Sequence, residues 1–405
     1  MSNWQKVTLD KLCFFEKGKT GLAKAIPGDY PLVTTSAERK TNDSYQFDTK
    51  AVCIPLVSST GHGHASLNYV HYQEGKFALG TILVALIPKD ETILNAQFLH
   101  LYLSRLKDII LVPLMSGAAN VSLSISKIKT VEIPLPPIDE QLKIVELFKN
   151  LVNENNELVE EINTQSSLLK QLKQTILQEA IEGKLTEKWR VKNPDIGTAK
   201  ELLEQIKTEK EKLIKEKKIR PSKPLSPINE DEIPFDIPPS WEWCRLGDIA
   251  NGFQYGTSTK SKINGRVPVL RMGNIQNGRV LLEELVYTDN ESEIEKYSIE
   301  YNDLLFNRTN SRELVGKTAI YSFQEKAIYA GYLIKYSMIL SNSHYINYVM
   351  NSPFHYQWCA KVRSDAIGQS NINATKLQSY IVPLPPLEEQ KEIVATIEKL
   401  FTLCN

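Results

Sequence analysis

The stretch Val131-Glu132-Ile133-Pro134-Leu135-Pro136-Pro137-Ile138-Asp139-Glu140-Gln141 marks an abrupt change of pattern, from short strand-like and proline residues to a long helical period. Beyond it, apolar residues recur at heptad spacing. One seam position holds Ile144, Leu151, Leu158 and Leu172, and the other holds Phe148, Ile162, Leu169 and Ile176, with Asn155 and Gln165 as polar interruptions. The prolines close the upstream side, and Asp139 and Glu140 occupy the first turn, where carboxylates suit the helix dipole. No proline falls between Asp139 and Asn193, so a helix is expected from 139 to about Glu182, with Gly183 as its stop. At 1.5 Å per residue that is a rod of roughly 65 Å. Such a rod needs its apolar stripe covered. A homodimeric coiled coil is one way to do so.

The same text returns near the other end of the chain. Val382-Pro383-Leu384-Pro385-Pro386-Leu387-Glu388-Glu389-Gln390 restates Ile133 to Gln141 at an offset of 249. The register continues: Ile393, Val394, Ile397, Leu400 and Phe401 fall on Ile144, Val145, Phe148, Leu151 and Val152. Upstream, Leu377 and Lys376 fall on Ile128 and Lys127, and Asn342 to Val349 echoes Asn95 to Tyr102. Trp4, Leu9 and Leu12 likewise match Trp241, Leu246 and Ile249 at an offset of 237. The chain is therefore read as a tandem repeat, a domain of about 135 residues followed by a helix, with each helix stripe available to the other copy.

The 405 residues leave room for two or three domains with real cores. Charge is balanced, 48 basic residues against 48 acidic, so no global basic field announces a nucleic-acid binder, though segregation of the acids would still allow one. Cys13, Cys53, Cys244, Cys359 and Cys404 form no close pair and indicate neither a disulfide framework nor a zinc site. Without a secretory segment or an apolar run of 18 residues, the reducing cytoplasm is the expected location and no membrane partner is expected.

Lys17-Gly18-Lys19-Thr20 lacks the first glycine of a phosphate loop, because position 13 is Cys13. Strands are expected at Ala51–Val57, Thr81–Ile87, Val267–Met272 and Lys317–Tyr321, a strand pair at Ala327–Leu340, and helices at Asn95–Ile110, Thr198–Lys218 and Asn342–Asn351. Within Lys207–Lys223, seven lysines and Arg220 face three glutamates, which reads first as a solvated face laced with i,i+4 pairs. Residues 221–240 are proline-rich, a linker or an ordered strap. No Asn/Asp-Pro-Pro-Tyr/Phe or Phe-x-Gly-x-Gly motif appears, and His62 and His64 have no cysteine or carboxylate at ligand spacing, so no metal site is expected.

With both repeats laid out, the chain resembles the DNA-specificity subunit of type I restriction-modification systems over nearly its whole length. The resemblance rests on the twin Pro-Leu-Pro-Pro segments, on Gln174 to Thr186 at the helix end, and on Leu304-Leu305-Phe306-Asn307-Arg308-Thr309-Asn310-Ser311. It implies an α+β fold with two target-recognition domains, separated by a long central helix that pairs antiparallel with a C-terminal helix, here short. The corresponding boundaries are 1–138, 139–183 (central helix), 184–240 (basic helix and linker), 241–387 and 388–405. It further implies a non-catalytic subunit that reads a bipartite site on double-stranded DNA. Two methyltransferase subunits and a restriction subunit would be its partners. S-adenosylmethionine would bind the methyltransferases, and ATP and magnesium the restriction subunit, leaving no cofactor in this chain. A coiled-coil scaffold with protein-binding heads, and an orphan or phase-variable specificity protein without supported modification activity, are the alternatives.

Base and phosphate contacts call for Arg, Lys, Asn, Ser, Thr or His on loops. In the first domain these are Lys17, Lys19, Ser59, Thr60, His62 and His64, with Lys40 as a positioning charge. In the second they are Arg271, Asn274, Asn307, Arg308, Thr309, Asn310 and Arg312, with Lys317, Lys361 and Arg363 suited to phosphates. Arg308 is equally readable as part of an internal turn network, and Asn307 reads better as one. Helix packing is assigned to Ile144, Phe148, Leu151, Leu158 and Ile162 on the central helix and to Ile393, Ile397 and Leu400 on the second. The second helix offers 18 residues from Glu388, so the half of the stripe carrying Ile144, Phe148 and Leu151 is expected to lack a partner within the chain, which invites a methyltransferase subunit or self-association. Gly368 to Asn373 echoes Gly117 to Ser122 and is read as structural, joining domain to rod.

Overall fold

The computed structural model describes residues 4–60, 63–118 and 120–404. The chain forms two compact units, Met1–Ile162 and Asn163–Asn405.

In the first unit, Gln5–Thr8 pairs antiparallel with Glu132–Leu135, the strand that leads into the central helix. Cys13–Lys17, Leu83–Pro88, Ala51–Pro55 and His71–Gln73 lie side by side in that order, all antiparallel. A second sheet follows the order Lys40–Asn42, Tyr30–Val33, Lys76–Leu79, Phe47–Asp48, with its middle pair parallel. Ala51–Pro55 is buried at every residue, which explains its unbroken apolar reading: both faces are covered. Helix Ala96–Ile110 closes the core through Phe98, Leu99 and Leu103.

The second unit rebuilds this plan. Glu242–Arg245 pairs with Ile381–Leu384. Gln254–Tyr255, Leu333–Tyr336, Leu304–Asn307 and Thr318–Ile320 repeat the order of the first four-stranded sheet, extended by Gly278–Val280 and Ile275–Gln276. Val267–Leu270 is again parallel to its neighbour, here Ile328–Tyr329. A close backbone approach also recurs. A Cβ on Gly18 would sit 2.1 Å from the Gly80 carbonyl oxygen, and one on Gly256 would sit 2.1 Å from that of Tyr329. Glycine is required at both positions.

The helix at the repeat motif spans Ile138–Ile181, 44 residues. Gly183, at φ +73°, ends it, and the Lys184 amide returns to the Glu179 carbonyl at 3.0 Å. Its two ends are committed differently from the seam reading. Ile144 and Val145 pack into the first unit's core, and the Arg105 guanidinium lies 4.6 Å from the Phe148 ring centroid. The expectation that Ile144 and Phe148 lack a partner within the chain is thus corrected: the domain that precedes them covers them. Ile176, Leu177, Ala180 and Ile181 belong to the second unit's core, together with Ile393 and Ile397 of helix Leu387–Leu403. Between these ends Leu151, Leu158, Ile162, Leu169 and Leu172 are 42–64% exposed.

Residues 184–240 form an ordered strap on the second unit. Helix Ala199–Lys215 opens with a Thr198–Glu201 capping box and buries Ala199, Leu202 and Ile206. It stops three residues before the expected Lys218, and Lys217 takes φ +59°. Lys210 departs from the solvated-face reading by donating to the Gly247 carbonyl at 2.6 Å. Further on, Ile219, Ile228, Phe235 and Ile237 pack on the same core. Arg245, 5% exposed, donates to the Ser226 and Pro227 carbonyls and meets both carboxylate oxygens of Glu232, at 3.0 and 2.9 Å. Among the described residues no helix is long and apolar enough to cross a membrane.

Candidate nucleic-acid interface

The repeated motif acts as a clip between each domain and its helix. Gln141 is fully buried; its Oε1 accepts the Asn95 amide at 2.9 Å, and its Nε2 donates to the Ile93 and Pro136 carbonyls at 2.8 Å each. Gln390 repeats the contact, accepting from the Asn342 amide at 2.8 Å and donating to Pro385 at 2.9 Å. Asn95 and Asn342 are the N-caps of the two domain helices, Ala96–Ile110 and Ser343–Val349. One amide side chain therefore joins the start of the rod helix to the start of the domain helix. Trp4 Nε1 donates to Glu140 at 3.1 Å and Trp241 Nε1 to Glu389 at 2.9 Å. The sequence pattern pointed to Glu140 as a first-turn carboxylate suited to the helix dipole and gave no role to Gln141 or Gln390. The recurrence of the Glu-Gln pair at one place in both copies was the available signal.

These clips hold two loop systems at corresponding places. In the first unit, the loop after Ala51–Pro55 bridges to Ser122 through Val57, and Ser122 also bridges to Ser116. In the second, the segment after Leu304–Asn307 places Thr309–Asn310 against Gln369–Asn371, which pairs in turn with Ser364–Ala366. A backbone bond links the two segments in each unit, in opposite directions: Ser58 donates to Val121, and Ile372 donates to Arg308, both at 2.9 Å. In the Gly368 to Asn373 segment, read as a structural joint, Gln369–Asn371 forms a strand of this small sheet, with Ser370 and Ile372 fully buried.

The second-unit sheet brings Thr309, Asn310, Arg312 and Arg363 together. Arg312 donates to Asp365 at 2.6 and 3.0 Å while its side chain remains 65% exposed. Arg363 reaches the same carboxylate at 3.2 Å, and Ser370 donates to it at 2.5 Å. These donors hold the Asp365 carboxyl below its usual range, Ser370 first and then Arg312. Thr309 Oγ1 accepts from Asn371 at 2.7 Å, and Asn310 Oδ1 accepts from the Ser311 amide at 2.9 Å. Lys361 is exposed nearby in sequence, in helix Pro353–Val362.

Other expected contacts are internal. Asn274, 4% exposed, accepts from the Arg271 amide and donates to Leu281 and Glu283, so it builds its turn instead of facing a ligand. Asn307 is fully buried, with no hydrogen-bond partner for its amide among the described residues. Arg271 donates to the Glu284 carbonyl at 2.8 Å. Arg308 stacks 4.8 Å from the Tyr255 ring centroid, and Lys317 donates to Gln276 at 2.9 Å. In the first unit Lys17, Lys19 and Lys40 are exposed. Ser59 accepts from the Asn68 amide at 2.8 Å and Thr60 pairs with Ser66 at 2.9 Å, so both hydroxyls also shape the loop. His64 is exposed, and its carbonyl accepts from Ser58; His62 lies outside the described residues.

The family model for the type I restriction modification DNA specificity domain matches residues 1–165 and 238–405. The chain belongs to this family. The two matched stretches coincide with the two copies of the plan, and most of the strap falls between them. This specificity-domain chain is 31% identical over 287 residues to the EcoAI specificity subunit of Escherichia coli, covering 68% of this chain and 47% of that one. It is 30% identical over 246 residues to the E. coli EcoEI specificity subunit, covering 58% and 40%. It therefore spans less than half the length of these curated relatives. The crystal structure of the HsdS subunit from Thermoanaerobacter tengcongensis shares the fold at TM-score 0.54 and 16% identity, over 99% of this chain and 90% of that one.

Proposed function

We propose that the chain is a non-catalytic DNA-specificity subunit in which each domain reads one half of a bipartite duplex target. The observation that carries this reading is the pair of loop systems. They spring from corresponding strands of one repeated plan, yet Ser58 to Ser66 and Arg308 to Gly316 share almost no side-chain chemistry. One architecture bearing two different sets of donors suits two different short sequences. Membership of the family supports it. Domains at 1–138 and 241–387 are the two readers, and Arg312, Arg363, Lys361 and the first-domain lysines supply phosphate and base contacts. Helix Leu387–Leu403 runs antiparallel to the end of the central helix. This agrees with Lys173 lying 5.6 Å from the Phe401 ring while Thr186 meets Glu389. The rod would then set the gap at 3.4 Å per base pair.

The exposed middle of the central helix is the surface for two methyltransferase subunits, which carry the adenine chemistry with S-adenosylmethionine in the cytoplasm, and a restriction subunit joins through them. The same stripe favours a second reading, self-association of the chain in isolation.

Footprinting of the assembled methyltransferase complex on duplex DNA tests the reading. Two protected patches flanking a less protected gap are expected, with Arg312→Ala weakening one patch alone. A single continuous patch, or equal loss in both, would overturn it.

A further inference from the structure

Glu389 is a carboxylate with no solvent exposure at the point where three segments of the second unit meet. Its Oε1 accepts from Thr186 Oγ1 at 2.7 Å and from Arg190 Nε at 3.0 Å, and its Oε2 accepts from Trp241 Nε1 at 2.9 Å. Thr186 and Arg190 follow the end of the central helix, Trp241 opens the second domain, and Glu389 itself begins the second rod helix. Arg190 also donates to the Gly183 carbonyl at that helix end, and its guanidinium lies 5.8 Å from the Trp241 ring centroid. In the first unit the Trp4–Glu140 contact is made in exposed surroundings. The tryptophan–glutamate contact is thus the repeated element, and the two extra donors belong to the second unit.

We propose that Glu389 is a positioning residue for DNA recognition, holding the second domain at one angle on the end of the central helix so that a single target gap is accepted. The inference rests on the bipartite reading above. A buried carboxylate serves three donors at once in one geometry, and water cannot replace a donor that swings away. The lever is long: a tilt of roughly 10° moves a point about 20 Å away by about 3.4 Å, the rise of one base pair. Glutamine at this position has the same shape but turns one acceptor into a donor. It must then oppose either the Trp241 N–H or the Thr186 and Arg190 donors.

The test uses the full chain assembled with its methyltransferase subunits, on duplexes carrying its sequenced target with the native gap and with one base pair added or removed. The readout is the ratio of methylation at the altered gap to that at the native gap. Wild type is expected to discriminate by about tenfold or more, with E389Q raising the ratio severalfold and T186V, which leaves two donors in place, raising it less. A lower rate or melting temperature with an unchanged ratio in both variants would show a structural role and overturn the proposal. T186V decides alone if E389Q does not assemble. A wild type with no preferred gap would overturn the bipartite reading itself, a result distinct from a strict wild type with equally strict variants.

Discussion

Gln141 and Gln390 use both ends of a buried amide, and that makes them costly to replace. In Gln390→Leu the Asn342 amide and the Pro385 carbonyl lose their partner without gaining water. An unsatisfied buried group costs about 1–3 kcal/mol. Urea unfolding should show the second unit's unfolding free energy lowered by about that amount, read as a lower midpoint at unchanged slope; an unmoved midpoint would mean that the clip carries no stability. Two buried histidines add a pH dependence. Burial pushes His355 down to about 4, and burial followed by the neighbouring Arg39 guanidinium pushes His71 to about 4, against an ordinary value of 6.5. Between those values the unfolded chain binds protons that the folded units refuse. Their contribution is therefore complete above pH 6.5 and is lost as pH falls toward 4, up to about 3 kcal/mol each at roughly 1.4 kcal/mol per pH unit. Thermal melting at pH 7 and pH 5 should show both units weakened at pH 5, and equal melting at the two values would contradict this. Single residues were the least legible scale in the sequence. Asn274 has the right chemistry for a base, and so does any asparagine that closes a turn, while Asn307 ends a strand with its side chain buried; burial separates these cases from a base contact, and periodicity does not report it there.

Helices and strands were far more readable, because their signals are local. The proline pair, the acidic first turn and Gly183 bracketed the central helix to within a residue or two of Ile138–Ile181. What heptad spacing could not reveal was which neighbour each apolar residue meets. Ile144 and Phe148 share a seam with Leu158 and Ile162, yet the former pair belongs to the first domain and the latter remains 58–64% exposed. Period alone describes a stripe; its cover depends on contacts distant in sequence. Leu158→Glu with Ile162→Glu should therefore leave the isolated chain's unfolding free energy within about 0.5 kcal/mol of wild type. The same pair should abolish co-elution with the methyltransferase partner in size-exclusion chromatography with light scattering. Destabilisation of the chain alone, or undiminished co-elution, would show that the stripe is not the partner's surface.

At the scale of the whole molecule, the tandem repeat was the most informative feature of the sequence. Insertions shift the offset between 237 and 251 while the order of the four common strands is kept, the added strands extending the sheet at its edge. The strap was harder to foresee. A proline-rich stretch beside a lysine-rich helix reads equally as a linker or an ordered strap, and its own apolar anchors Phe235 and Ile237 are too few to announce a packed surface. The central claim concerns one plan used twice to read two sequences, and it is tested most directly by single-molecule sequencing of DNA from cells co-expressing the chain with its methyltransferase subunits. The expected result is methylated adenine within one motif of two different short specified halves separated by a gap of constant length. Methylation at a single contiguous motif, or none from a complex that nevertheless assembles, would contradict it.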